Sequence, residues 1–427
     1  MYKRLFLTVF IVFTITIAGF SQGKVGSPYT RYSIGDINNN PLARNNGLGG
    51  VSYTLPYRNN VNYINPAGVA NIDTMTFIFD FGLQGGGRSY EIKDPKLKET
   101  KYDYQISYIN FGFSINRWWK MALGITPYSN VGYNIMSSDS LLNVHKNYRF
   151  EGNGGITKIF WNNSVSPLKN LRLGVNAVFL FGEIYHYNAI TFDEDVEEGF
   201  MNIIEQNKSR ISDFSFDAGI QYDININSKN KITIGAVYGH NKDLKAYQSS
   251  FVYNRSKSGT IVDTLYISDE NKGIVSLPMS LGFGIGYCYD DKLFVGIDYT
   301  LQNWKNAQFF NSVDSLGNGN YFSMGIEYIP GGYKGLSYKY KDAISYRLGG
   351  YYNETYFKLS TGQVPIKDFG ISFGVGLPVK RSKTSFDISV KLGQRGSIDD
   401  SLIRERYFIV GVGFNLADVW FIKSKFD

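Results

Sequence analysis

The 427-residue sequence predicts an all-β fold: a 14-stranded antiparallel transmembrane β-barrel behind an irregular N-terminal segment. Three observations carry this. Apolar and polar residues alternate with period two from about Thr74 onward, as where Leu281, Phe283, Ile285, Tyr287 and Tyr289 interleave with Gly282, Gly284, Gly286 and Cys288. Connections between strands are in turn short and long, as in chains threaded back and forth across an outer membrane. Past the N-terminus no apolar run approaches the roughly 18 residues a spanning helix needs.

A soluble sandwich also alternates, with its apolar face as core, but it has no reason for so regular an asymmetry of connections. The 33 Tyr and 31 Phe suit lipid-facing bands and interfacial girdles, and inward-facing members of the 46 Gly relieve crowding in a curved sheet.

Residues 1–21 read as a secretory signal peptide. Lys3 and Arg4 precede the apolar stretch 5–20, and Gly19-Phe20-Ser21 offers a small-residue cleavage site. The alternative, an N-terminal membrane helix, lacks a positive flank or stop-transfer pattern after it. With no Cys near the cleavage site, a lipoprotein is not expected. The single Cys288 excludes an intramolecular disulfide, and alternation points it inward.

Residues 22–72 are Gly-, Asn- and Pro-rich without sustained alternation, and include Ser27-Pro28-Tyr29-Thr30-Arg31-Tyr32, Gly47-Leu48-Gly49-Gly50 and Asn65-Pro66-Ala67. Their Leu, Val, Tyr and Ile content argues for a compact segment packed against something rather than a disordered leader.

In residues 73–427, strands are expected to begin near 74, 102, 118, 148, 169, 209, 230, 274, 291, 319, 341, 366, 383 and 402. Asn116-Arg117, Ser228-Lys229 and Asp290-Asp291 are among the tight turns; 137–146, 186–208 and 241–271 are the longer, more polar connections. Short turns lie on the periplasmic side and long loops outside. Alternation turns Asp80, Arg172, Asp217, Asp298, Glu327, Arg347, Asp387 and Lys391 into the lumen, and Phe77, Phe79, Phe81, Phe386 and Ile388 toward lipid. Val178, Leu180, Phe294 and Ile409 also fall inward, so the interior is mixed and suits a plugged barrel or an apolar conduit better than a water-filled pore.

The formal charge is +7, or +5 without Lys3 and Arg4, with both signs interspersed. No basic stripe or motif supports nucleic-acid binding; the expected surroundings are a lipid bilayer and lipopolysaccharide in the cell outer membrane. No catalytic constellation stands out, so an enzyme is not expected. His145, His186 and His240 are scattered without metal-ligand spacing, and Asp290-Asp291 suits a tight turn. No cofactor or metal is expected.

Strand count, the Gly-rich Gly47-Leu48-Gly49-Gly50, Asn65-Pro66-Ala67 before the first strand, and Gly152-Asn153-Gly154-Gly155 together resemble the FadL/TodX-type family of outer-membrane transporters for hydrophobic compounds. The Ser-Pro-Tyr-Thr-Arg-Tyr stretch and the closing Trp-Phe-Ile-Lys look like Bacteroidota members. The resemblance implies that residues 22–72 form a hatch inside the lumen, anchored by Asn65, Pro66 and Ala67, with tight turns at Gly47, Gly49 and Gly50. It implies passive, hatch-gated import of a long-chain fatty acid-like ligand, with sideways exit at a kink in strand three.

Pro127 in that strand cannot donate a ladder hydrogen bond; it marks either the kink or a harmless position near the strand end. Acidic residues 193–198 before Phe200, Met201, Ile203 and Ile204 suit the start of a short helix. Those four apolar residues are candidates for an external ligand groove, or they pack the loop onto the rim. The family resemblance also allows a non-conducting barrel that docks partners in an envelope complex such as the type IX secretion machinery. A polar-solute porin would need the hatch displaced. Asp139-Ser140-Leu141 and Asp263-Thr264-Leu265 resemble Bacteroidota O-glycan acceptor triplets or are ordinary loop chemistry.

Overall fold

The computed structural model describes residues 26–419, apart from 39–41, 57–58, 94–95, 142–143, 194–200, 311, 314–315, 333–338, 359–364, 381 and 399–401. Fourteen strands build the barrel. The first half holds β1 (Thr76–Ile92), β2 (Leu97–Ser114), β3 (Trp119–Leu141), β4 (Val144–Leu168), β5 (Leu171–Phe192), β6 (Asn202–Asn225) and β7 (Asn230–Gly239). The second holds β8 (Ser280–Tyr289), β9 (Leu293–Asn303), β10 (Asn318–Tyr328), β11 (Ser345–Lys358), β12 (Pro365–Pro378), β13 (Ser385–Arg395) and β14 (Arg404–Val419). β14 closes antiparallel on β1, from Arg404 opposite Glu91 to Val419 opposite Thr76. Closure removes the outer sheet edges that hydrocarbon cannot solvate.

Period-two alternation sorts the side chains. Phe283, Ile285, Ile371 and Phe373 are exposed on the outer surface, while Asp298, Glu327, Arg347, Asp387, Asn162 and Asn176 are buried within. Neighbouring strands add outer aromatic contacts, such as Phe79 with Phe111 at 5.3 Å and Phe386 with Phe414 at 5.0 Å between ring centroids. Cys288 is buried, in the inward row of β8. No described helix is long and apolar enough to cross a membrane.

The long connections differ from expectation. Residues 241–271, expected as a polar loop, form most of a β-hairpin of strands Lys242–Arg255 and Ile261–Leu277, and strand eight begins at Ser280 rather than near 274. This hairpin pairs with the upper half of β6, Ile211 opposite Ala246 and Asn202 opposite Arg255, and raises the wall on that side. Likewise β3 and β4 run on to Leu141 and from Val144, through most of the connection expected at 137–146. The short helix expected after residue 193 is not what Ile203 and Ile204 enter: they are strand residues of β6, opposite Ile190 and Ala189. Their β-branched side chains favour that pairing. Phe200 and most of the acidic run lie outside the described residues.

Inside the wall sits the N-terminal segment. A 3-10 turn at Pro28–Arg31, a two-residue strand at Asp36–Ile37, a helical turn at Ala43–Asn46 and a second 3-10 helix at Pro66–Asn71 are its regular elements. Ile34, Leu48, Val51, Leu55 and Val61 are fully buried, and Leu48, Val51 and Leu55 pack together with the inward Phe294.

Candidate functional site

Among the described residues, the shortest ladder in the barrel wall joins β2 and β3. β2 and β3 pair only from Ile109 opposite Ile125 to Ser114 opposite Lys120, although both strands continue far beyond. Their other ladders persist: β2 stays on β1 up to Leu97, and β3 stays on β4 up to Leu141. Pro127 stands where the seam opens. The β3–β4 register shifts between Pro127 and Ser129, a bulge at the level where the β2–β3 pairing ends.

The N-terminal segment occupies the edge that β3 leaves. Asp36 and Ile37 pair antiparallel with Asn130 and Ser129. Asn38 N donates to Tyr128 O at 2.9 Å, and Gly132 N donates to Thr30 Oγ1 at 3.1 Å. From the other side, Arg395 of β13 donates to Asp36 at 2.6 Å and to Asp368 of β12 at 3.1 Å. Tyr90 OH donates to Gly26 O at 2.8 Å, Tyr29 OH donates to Ile403 O at 2.7 Å, and Ser27 Oγ meets the Glu405 carboxylate. A space of about 90 Å³ lies behind the seam, lined by the polar side chains of Asp36, Arg88, Asp103, Gln105 and Asn130 together with Val131, Phe408 and Ile409.

The glycines of Gly47-Leu48-Gly49-Gly50 act differently from one another. Gly49 and Gly50 have positive φ, +68° and +106°. Gly47 is helical; its need is space, because a Cβ there would lie 2.9 Å from Gly374 Cα. Gly49 N donates to Ser372 Oγ at 2.8 Å, so this turn rests on the inner face of β11 and β12. Asn65, Pro66 and Ala67 rest on β4, β5 and β6. Asn65 caps its helix by accepting from Ala67 N at 3.1 Å, and its amide donates to Tyr53 O at 2.8 Å. Asn162 Nδ2 donates to Pro66 O at 3.1 Å, and a Cβ on Gly174 would meet Pro66 at 2.3 Å.

Ionic contacts complete the attachment. Arg44 Nη2 lies 2.7 Å from Glu327, which also accepts from Arg347 at 2.7 Å; Arg347 reaches Asp387 at 2.6 Å. One oxygen of Asp298 accepts from Ser52 N at 2.6 Å and Tyr53 N at 2.8 Å. Burial raises the Tyr53 phenol above its ordinary range, so it stays neutral and shares a 2.7 Å hydrogen bond with Thr300. Sequence reading placed Glu327, Arg347, Asp298 and Asp387 in the lumen but missed Arg44 and Asp36. The available signal was that each is a lone charge in an otherwise apolar and amide-rich stretch.

Above the segment, on the side of the long hairpins, lies a vestibule of about 1200 Å³. Its floor includes Gly26 and Pro28; its walls include Ile92 and Leu97 on one side of the seam and Tyr133, Ile135 and Met136 on the other. Tyr187, Phe251 and Ile267 extend the apolar lining, and Tyr133 OH shares a 2.8 Å hydrogen bond with His186 Nδ1. The expected groove residues are elsewhere: Met201 and Ile203 are exposed, and Ile204 is buried with Ala189 and Tyr253. None of these three lines the vestibule. Among the described residues, no group of His, Cys, Asp and Glu could hold a metal ion.

Comparison with known proteins agrees with this architecture. The BamG family matches the chain over residues 1–427. No curated protein matches it significantly. The Pseudomonas putida toluene transporter TodX superposes with a TM-score of 0.60 at 12% identity, covering 91% of this chain and 100% of its own. A Pseudomonas aeruginosa FadL homologue gives 0.59 at 13% identity, covering 90% and 99%. The Ralstonia pickettii toluene transporter TbuX gives 0.55 at 12%, covering 88% and 97%. The shared fold is the 14-stranded outer-membrane barrel.

Proposed function

The chain belongs to the BamG family, and from that premise and the geometry above we propose that it passes hydrophobic small molecules across the outer membrane. A ligand of fatty acid-like size enters the apolar vestibule, the N-terminal segment shifts, and the ligand leaves sideways between β2 and β3. One observation supports this reading: the stretch of β2 and β3 that is left unpaired flanks the vestibule, with Leu97 and Lys101 on one side and Tyr133 and Met136 on the other. The vestibule exceeds the volume of ordinary small-molecule sites, about 300–1,000 Å³. Chemistry at the seam falls to positioning alone; no covalent step is needed.

The test is purification in mild detergent, followed by mass spectrometry of co-purifying lipids and proteins. A bound apolar molecule, lost on Tyr133→Ala with Phe251→Ala, supports conduction. An empty barrel with a stoichiometric protein partner contradicts it.

That second outcome fits the docking reading, a non-conducting subunit of an envelope complex, and one observation favours it. Between the vestibule and the periplasmic mouth the lumen is filled by a segment held with buried ion pairs, and the space at the seam is small.

A further inference from the structure

A charged patch lies on the outward face of β14, β1 and β2, at the external edge of the apolar belt. On β14 the outward residues Phe408, Val410, Val412, Phe414 and Leu416 form an apolar run, closed by Arg406 at its external end and Asp418 at its periplasmic end. Eight residue steps of about 3.4 Å at a strand tilt of about 40° rise roughly 21 Å, which with the side chains matches an apolar band about 25 Å tall. Arg406 therefore stands at the level of the outer-leaflet headgroups.

Register brings further cations to the same place. Arg404, Glu91 and Lys98 form one row across β14, β1 and β2, and Arg406, Ser89 and Thr100 form the next row toward the membrane. In the row below, Phe408 and Tyr102 flank Gly87, their ring centroids 6.4 Å apart, and make an aromatic shelf at the top of the belt. Glu91 pairs with Arg404 at 2.5 Å, and the charges of Arg406 and Lys98 bear on it as well. Arg406 donates to Gln394 at 3.3 Å; among the described residues neither Arg406 nor Lys98 has a carboxylate within ion-pair distance.

The charges around the patch do not cancel it. Glu99 faces the vestibule and pairs with Lys101, and beyond Gln394 Lys367 stands opposite Glu354. The adjoining turns contain Lys93 and Lys96, and also Asp94, Asp399 and Asp400, which lie outside the described residues. With those three counted, Lys93, Lys96, Lys98, Arg404 and Arg406 still outnumber Glu91, Asp94, Asp399 and Asp400 by five to four.

We infer that Arg404, Arg406 and Lys98 hold the phosphate of an outer-leaflet glycolipid. Guanidinium forks match phosphate oxygens, and Lys98 adds a point charge from the next strand but one. The patch is an open face with no enclosing wall, so a free anion gains little there. A lipid phosphate has a second anchor, its acyl chains on the belt below Phe408 and Tyr102. Because Lys98 and Tyr102 lie on β2, the lipid also fastens the strand that borders the seam to β1 and β14.

The test is native mass spectrometry of the full chain in detergent, titrated with bisphosphorylated lipid A, its dephosphorylated counterpart or inorganic phosphate. The expected result is a lipid A adduct that Arg406→Glu with Lys98→Glu weakens about tenfold or more. Lys245→Glu, on the outward face of the hairpin, leaves it unchanged. Glu91→Gln removes the competing carboxylate and tightens binding, a gain that misfolding does not produce. Heat-modifiable mobility on gels reads the folding of each variant, and bound lipid slows hydrogen exchange at residues 97–104. Equal binding of the dephosphorylated lipid, indifference to the double substitution, or displacement by inorganic phosphate at equal potency would overturn the inference.

Discussion

Asp36 Oδ2 accepts a hydrogen bond from Arg395 Nη1 at 2.6 Å, and this pair fastens the strand that fills the seam to β13. Arg395 is buried and also serves Asp368, so removing it takes the cation from both carboxylates and leaves Asp368 only its tyrosine hydroxyl donors. Arg395→Gln is expected to destabilise the attachment by about 3–5 kcal/mol, the usual cost of breaking a buried pair from one side. Hydrogen exchange of residues 26–38 should then accelerate while that of β8–β9 stays slow. Uniform acceleration would mean that the barrel itself depends on this pair.

Gly49 gives a second lever. A Cβ there would lie 2.5 Å from Gly350 O, on a backbone with φ of +68°. Gly49→Ala should cost about 1–3 kcal/mol through strain and overpacking. The barrel should keep its heat-modifiable mobility on gels, while planar-bilayer recordings show added leak conductance as the segment lifts from β11 and β12. Gly259→Ala is the contrast: its φ is also positive, but a Cβ there meets nothing within 4 Å. It should leave conductance at the parent level.

Asp298 fixes the turn at Ser52 and Tyr53 through two backbone donors. Asp298→Asn keeps the shape but exchanges charge-assisted hydrogen bonds for neutral ones. The loss expected is about 1–2 kcal/mol, read as a lower denaturant midpoint for protection of residues 51–55. Asp298→Ala should cost more, because it leaves both N–H groups buried without an acceptor.

The barrel was legible in the sequence because each spanning segment faces two solvents, so alternation survives in Leu281–Tyr289 and Phe322–Tyr328. What was not legible lies where that contrast ends. Residues 261–271 are exposed on both faces of their strand, and no alternation announces the hairpin. The run before Ile203 mimics a helix start because acidic-then-apolar order carries no information about which strand is adjacent. The attachment of the N-terminal segment was hidden for another reason. Arg44 and Glu327 are 283 residues apart, and Asp36 and Arg395 are 359 apart, so only closure of the barrel brings them together. Pro127 was visible as a residue that a ladder tolerates poorly; that β2 and β3 part above Ile109 and Ile125 required the register of both neighbours.

Exit of ligand between β2 and β3 requires that seam to open, so locking it should stop transport. Asn130 Nδ2 donates to Gln105 Oε1 across it at 3.2 Å. Gln105→Cys with Asn130→Cys, in a Cys288→Ser background, gives a pair for a bifunctional thiol cross-linker with a reducible disulfide spacer, with completeness read by mass spectrometry. Uptake of a fluorescent long-chain fatty acid by cells producing the protein should fall to background when the bond forms and return on reduction. Uptake that continues unchanged with the seam fully cross-linked would mean that ligand leaves by another route.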